Sequence, residues 1–123
     1  PDELREHACL GYAYLPSPDR WRFTHADGRA AVVAPSATLR ANNAEALVPA
    51  LRAGLGLALQ PDFMIHDDVA AGRLERVLGD WSAPPIALHL VTPPGEPRPS
   101  RVTALLDYLG RALVAAPWAK PPR

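Results

Sequence analysis

Residues 42–61, reading NNAEALVPALRAGLGLALQP, constrain the fold more than any other stretch of the chain. Asn42 stands three residues before Glu45, the spacing of an N-cap and its capping-box partner. Leu47, Ala50, Leu51 and Gly54 follow at helical spacing and give one face to pack on a sheet. Pro49 removes a backbone donor inside that run and predicts a kink or a late helix start. Gly54 suits a left-handed helix cap, and residues 55–59 read as a short buried strand, apolar on both faces. A helix that returns to a strand is the building step of a sheet whose parallel neighbours are joined by crossover helices. Such a unit gathers its polar groups at one end, so the stretch points to a binding cleft.

The rest of the chain supplies further strands. Residues 8–15 form an apolar, aromatic run closed by Pro16-Ser17-Pro18-Asp19, a strand and then a turn. Trp21 and Phe23 alternate with polar neighbours, and Asp27-Gly28 is a turn dipeptide, so residues 20–34 predict a hairpin. Residues 62–71 predict a second short helix closed by Gly72. Residues 74–78 predict an edge strand, and residues 80–85 a proline-bearing connector. Ile86, Leu88 and Leu90 alternate with Ala87, His89 and Val91, which predicts one more strand. After a proline-rich loop, Ser100 is the expected cap of a helix. Val102, Leu105, Leu106, Leu109, Ala112 and Leu113 make its stripe, and Pro117 ends it.

The 123 residues suit one core, with 48% hydrophobic and 21% charged residues. Thirteen basic residues balance thirteen acidic ones, which leaves no electrostatic footprint for nucleic acid or anionic lipid. No apolar run has the length of a membrane span. Cys9 is the sole cysteine, so an intrachain disulfide is excluded and a reducing, cytoplasmic setting is expected. The chain begins at Pro1 and its sole methionine is Met64, so it is expected to be a piece of a longer protein.

Candidates for chemistry are few. His7 and Cys9 share a strand face, yet no third group orients them as a nucleophile and base, and a buried core thiol accounts for the cysteine. His66-Asp67-Asp68 has metal-ligand residue types, but adjacent helical residues splay apart, so a solvated acidic face is expected and no metal. Gly54-Leu55-Gly56 closes a helix and opens a strand, the reverse of a dinucleotide-binding loop. The start of the helix at Asn42 and Asn43 remains, where free amides favour an anionic or carbonyl-bearing ligand.

Taken in order, DELREHACLGY, WRFTHADGRAAVV, LRANNAEALVPALRAGLGLALQPDFMIHDDVAAGRLERVLGDW, IALHLVTP and SRVTALLDYLGRAL resemble the C-terminal effector-binding domain of LysR-type transcriptional regulators. The Gly54-Leu55-Gly56 turn leading to Gln60-Pro61, followed by AAGRLERVL, contributes most to the match. The resemblance implies an α/β fold like that of type 2 periplasmic binding proteins, a three-layer mixed sheet with crossover helices. Residues 1–84 would be most of the second subdomain, and residues 85–123 the strand and helix that return to the first. It also implies a small-molecule effector, of organic-acid or amino-acid type, bound without cofactor or catalysis. Tyr14, Asn42, Asn43, Gln60 and Pro61 would face its cleft. A homo-oligomer is implied, with DNA contacted only through an N-terminal domain outside this chain, and no membrane. A solute-binding protein of a transporter, which shares that fold, and a thiol hydrolase using Cys9 are the rival readings.

Overall fold

The computed structural model describes residues 1–95 and 98–119. Contacts divide the chain into two compact units, Pro1–Pro85 and Ile86–Arg123.

In the first unit the strands are β1 (Cys9–Tyr12), β2 (Trp21–His25), β3 (Ala30–Val33), β4 (Ala37–Ala41), β5 (Leu57–Ala58) and β6 (Trp81–Ser82). The helices are α1 (Val48–Arg52), preceded by a 3-10 turn at Ala44–Leu47, and α2 (Asp62–Ala70). The class is α/β, with the strands shared between two sheets. One is parallel, in the order β4-β1-β5; the other is antiparallel, in the order β3-β2-β6. Because β1 lies between β4 and β5, the connection that contains α1 crosses over it, as the helix-to-strand pattern of residues 42–61 requires.

Burial explains the pattern of each strand. In β1 the first three residues are all buried, as suits the middle strand of a parallel sheet. In β2, Trp21 and Phe23 are buried while Arg22 and Thr24 are exposed, the alternation of a sheet with one wet face. Cys9, Trp21, Phe23 and Val33 join Leu4 in one core that spans both sheets. Leu10 alternates to the other face of β1 and is buried, as are Leu47 and Val48 of the crossover that packs beside it. The hairpin turns at Gly28, whose φ of 92° a side chain would resist.

Several expectations are corrected. The cap of the crossover is Asn43 rather than Asn42: its side chain accepts from the Glu45 N–H at 2.9 Å. Pro49 does delay the α-helix, which begins only at Val48, with the preceding turn tightened to 3-10 geometry. Gly54 has φ 72° and ends the crossover as a left-handed residue. The strand expected over residues 55–59 shrinks to β5, which is half-buried because β1 is its only strand neighbour among the described residues. Residues 74–78 form no strand. Leu78 has φ 59°, a left-handed conformation that ends an extended run, and its carbonyl accepts from the Trp81 N–H in a turn. The supposed connector instead provides β6, which pairs His25 with Trp81.

In the second unit, α3 spans Ser100–Ala115 and a 3-10 turn follows at Pro117–Ala119. Its cap position is Pro99, whose carbonyl accepts from Val102 and Thr103, while the Ser100 side chain makes no capping bond. Residues 86–91 alternate as a strand does, yet pair with no strand among the described residues. Ile86, Leu88 and Leu90 are accordingly exposed.

Candidate functional site

Three parallel strands end on one edge, and the chain leaves that edge three times. In open α/β sheets, ligands bind beyond the carboxyl ends of such strands. Tyr14 lies in the turn after β1, Asn42 and Asn43 directly after β4, and Gln60 and Pro61 two and three residues after β5. The structure therefore gathers all five sequence-derived candidates at the carboxyl edge of a single sheet. Registration holds to the last residue, since Tyr12 pairs with Ala41 and the Ala13 N–H donates to the Ala41 carbonyl at 2.9 Å.

Each candidate has a distinct local role. Asn43 spends its side-chain oxygen on the cap, which leaves its NH2 group outward; Asn42 makes no capping bond and is exposed. The crossover is a 3-10 turn plus five α-helical residues, too short for a large macrodipole. Its offer to a ligand is therefore amide hydrogen-bond donors more than a field. Gln60 Nε2 donates to the Ala44 carbonyl at 3.1 Å, tying the end of β5 to the start of the crossover. Its Oε1 is buried without a partner among the described residues. Pro61 precedes α2, and its carbonyl accepts from the Met64 N–H. Tyr14 is 70% exposed and meets Tyr12 edge-on, with ring centroids 6.0 Å apart.

The other chemical candidates fall away from this edge. Cys9 is fully buried and its Sγ donates to the backbone carbonyls of Leu4 and His7, not to the His7 ring. Burial pushes its thiol pKa up, away from the nucleophilic thiolate. Among the described residues, no three His, Cys, Asp or Glu side chains group to hold a metal ion.

Asp68, expected on a solvated acidic face, is instead the buried charged residue of the first unit, 2% exposed. Arg52 donates to both its carboxylate oxygens, at 3.0 and 2.7 Å, and Arg73 donates to Oδ1. The Arg52 guanidinium first, and Arg73 second, hold this carboxyl below its ordinary range. No local pattern marks the cluster, because Arg52 and Asp68 meet only through the fold.

Residues 1–114 match the family described as the LysR substrate binding domain. The chain is 30% identical over 118 residues to the HTH-type transcriptional regulator PtxR of Pseudomonas aeruginosa, covering 96% of this chain and 38% of that protein. It is 29% identical over 118 residues to the probable HTH-type transcriptional regulator LtrA of Klebsiella pneumoniae, covering 94% and 38% respectively. Among solved structures, the regulatory domain of AphB from Vibrio vulnificus superposes with a TM-score of 0.69 at 29% identity, over 89% of this chain and 54% of that one. Full-length AphB of Vibrio cholerae, a virulence activator of the LTTR family, gives 0.58 at 31% identity, over 67% and 27%. The chain thus spans 38% of the length of the two curated relatives.

Proposed function

The chain belongs to the LysR substrate-binding-domain family, and from that premise we propose that it senses a small metabolite for a bacterial transcriptional regulator. At family level its relatives are transcriptional regulators rather than enzymes, and their names do not favour a transporter's solute-binding protein. One observation supports the sensing role above all. Three parallel strand ends bring Tyr14, Asn42, Asn43, Gln60 and Pro61 to one edge, with the Asn42 and Asn43 side chains exposed there. Amide donors at a strand-end edge suit a carboxylate or carbonyl, so the effector is an organic acid or an amino-acid-like compound.

In this reading residues 1–84 are most of one subdomain, whose carboxyl edge is one wall of the cleft, and residues 85–123 belong with the other. Regulation is a population shift. An effector that binds the closed arrangement of two subdomains better than the open one biases the regulator's oligomer between DNA-bound states. Its leverage equals its differential affinity for the two arrangements. DNA is contacted through a reading domain outside this chain, and the assembly works as a homo-oligomer in the cytoplasm. No helix among the described residues is long and apolar enough to cross a membrane.

A thermal-shift screen of the full-length regulator against organic acids and amino acids tests this reading. A true effector at one hundred times its Kd stabilises by about 2.7 kcal/mol, a readily measured rise in melting temperature. A panel covering both classes with no stabilising compound overturns the proposal.

A further inference from the structure

Two segments that border the candidate site are fastened to each other at both ends. One runs from Ala44 to Arg52 through α1; the other runs from Gln60 to Asp68 through most of α2. At the strand-end edge, Gln60 Nε2 donates to the Ala44 carbonyl. At the far end, Arg52 grips Asp68 through Nε and Nη2. Each tie joins residues sixteen apart, so the two ties stand eight residues apart along both segments. On α2 that places Asp68 about 9 Å along the helix from its first residue.

The far tie is built more heavily than a helix contact requires. Arg73 is a second guanidinium on the same carboxylate, and the Asp68 carbonyl accepts from the Arg73 and Leu74 N–H groups at 2.8 and 3.2 Å. Asp68 is buried while the Arg52 and Arg73 side chains are half exposed, and ion pairs of either kind are a poor source of stability. What the tie does supply is one fixed geometry with directional partners on two elements.

We propose that Asp68 is a positioning residue for the effector site: its tie to Arg52 fixes the far ends of the two segments and so holds Gln60 and Asn43 at the spacing a ligand meets. The assignment rests on the effector-binding reading, but its mechanical part is testable without a ligand. The chain has one glutamine and two asparagines, so it contributes three side-chain NH2 pairs to the amide NMR spectrum, each assignable by substitution. Arg52→Met breaks the tie between segments while Arg73 still neutralises Asp68. Arg73→Met removes a guanidinium but leaves the tie.

In the full-length protein, Arg52→Met should shift the Gln60 pair and speed its exchange with water roughly tenfold, while Arg73→Met leaves both close to wild type. A residue needed only for bulk stability would lower the melting temperature in both variants and leave the Gln60 signals in place. Equal movement of Gln60 in the two variants, or none in either, overturns the proposal. Should Arg52→Met fail to fold, Arg52→Lys keeps the charge, loses the two-pronged grip and is held to the same outcomes. No ligand enters the experiment, so an empty metabolite screen leaves this result intact, and a hit in that screen does not rescue it.

Discussion

Gln60 reaches from the end of β5 to the Ala44 carbonyl with its NH2 group, while the oxygen of the same amide is buried without a partner among the described residues. One made hydrogen bond and one unmade bond therefore sit on a single side chain. Gln60→Met removes both together, so stability should change by less than about 1 kcal/mol. Gln60→Glu replaces the donor with an acceptor against the Ala44 carbonyl and should cost about 2 kcal/mol or more. Urea unfolding of the two variants measures the difference.

The two asparagines should separate cleanly. Asn43→Ala deletes the bond to the Glu45 N–H and should cost about 1 kcal/mol. Asn42→Ala removes an exposed side chain with no capping bond and should stay within about 0.5 kcal/mol. Chemical denaturation that ranks them in reverse would return the cap to Asn42.

Gly54 and Gly56 should differ in the same direction and by more. Gly54 has φ 72° and nothing within 4 Å of an added Cβ, so Gly54→Ala should cost about 1–2 kcal/mol of backbone strain. At Gly56 an added Cβ would lie 2.4 Å from the Ala8 carbonyl oxygen, on the backbone beside which β5 pairs. Gly56→Ala must push β5 from β1 and should exceed about 3 kcal/mol, or prevent folding. Thermal and urea unfolding of the pair checks this.

Strong acid should loosen the Asp68 tie. Its folded carboxyl titrates below the ordinary range because of Arg52 and then Arg73, whereas the unfolded chain returns it to about 3.9. Between those values the unfolded chain binds more protons, so stability falls as pH falls there. The contribution is fully present above the unfolded value and is lost as pH falls through the folded one. Melting temperature followed from about pH 6 down to about pH 2 should drop less steeply for Asp68→Asn than for wild type.

Association should accompany the uncovered apolar surface. Leu105, Tyr108 and Val114 of α3 are 55%, 63% and 78% exposed, alongside Ile86, Leu88 and Leu90. Apolar surface of that extent favours self-association, so this chain alone should sediment as a dimer or larger. A monomer across micromolar concentrations would contradict it.

The sequence made legible those elements whose cause is local. Trp21 and Phe23 alternate because β2 has one wet face, and Gly54 is left-handed wherever the helix before it must stop. Pro49 delays α1 through its own missing donor. The failures of strand assignment depend largely on partners remote in sequence. Residues 86–91 have the alternation of a strand, but a strand also needs a neighbour for its backbone groups. Trp81–Ser82 became a strand because β2 offered one. The site candidates were legible as loop positions after three strands, since Asn, Gln and Pro punctuate those ends. The tie between Arg52 and Asp68 left no such mark, as sixteen residues and a crossover separate its members.

The most direct check adds a stabilising compound from the metabolite screen to the labelled full-length regulator and follows the three side-chain amide pairs of this chain. If the carboxyl edge of the β4-β1-β5 sheet is a wall of the effector cleft, the Asn43 and Gln60 pairs should move with saturable, stoichiometric titration curves. A compound that binds with saturation while those two pairs stay still would show that the ligand is held elsewhere.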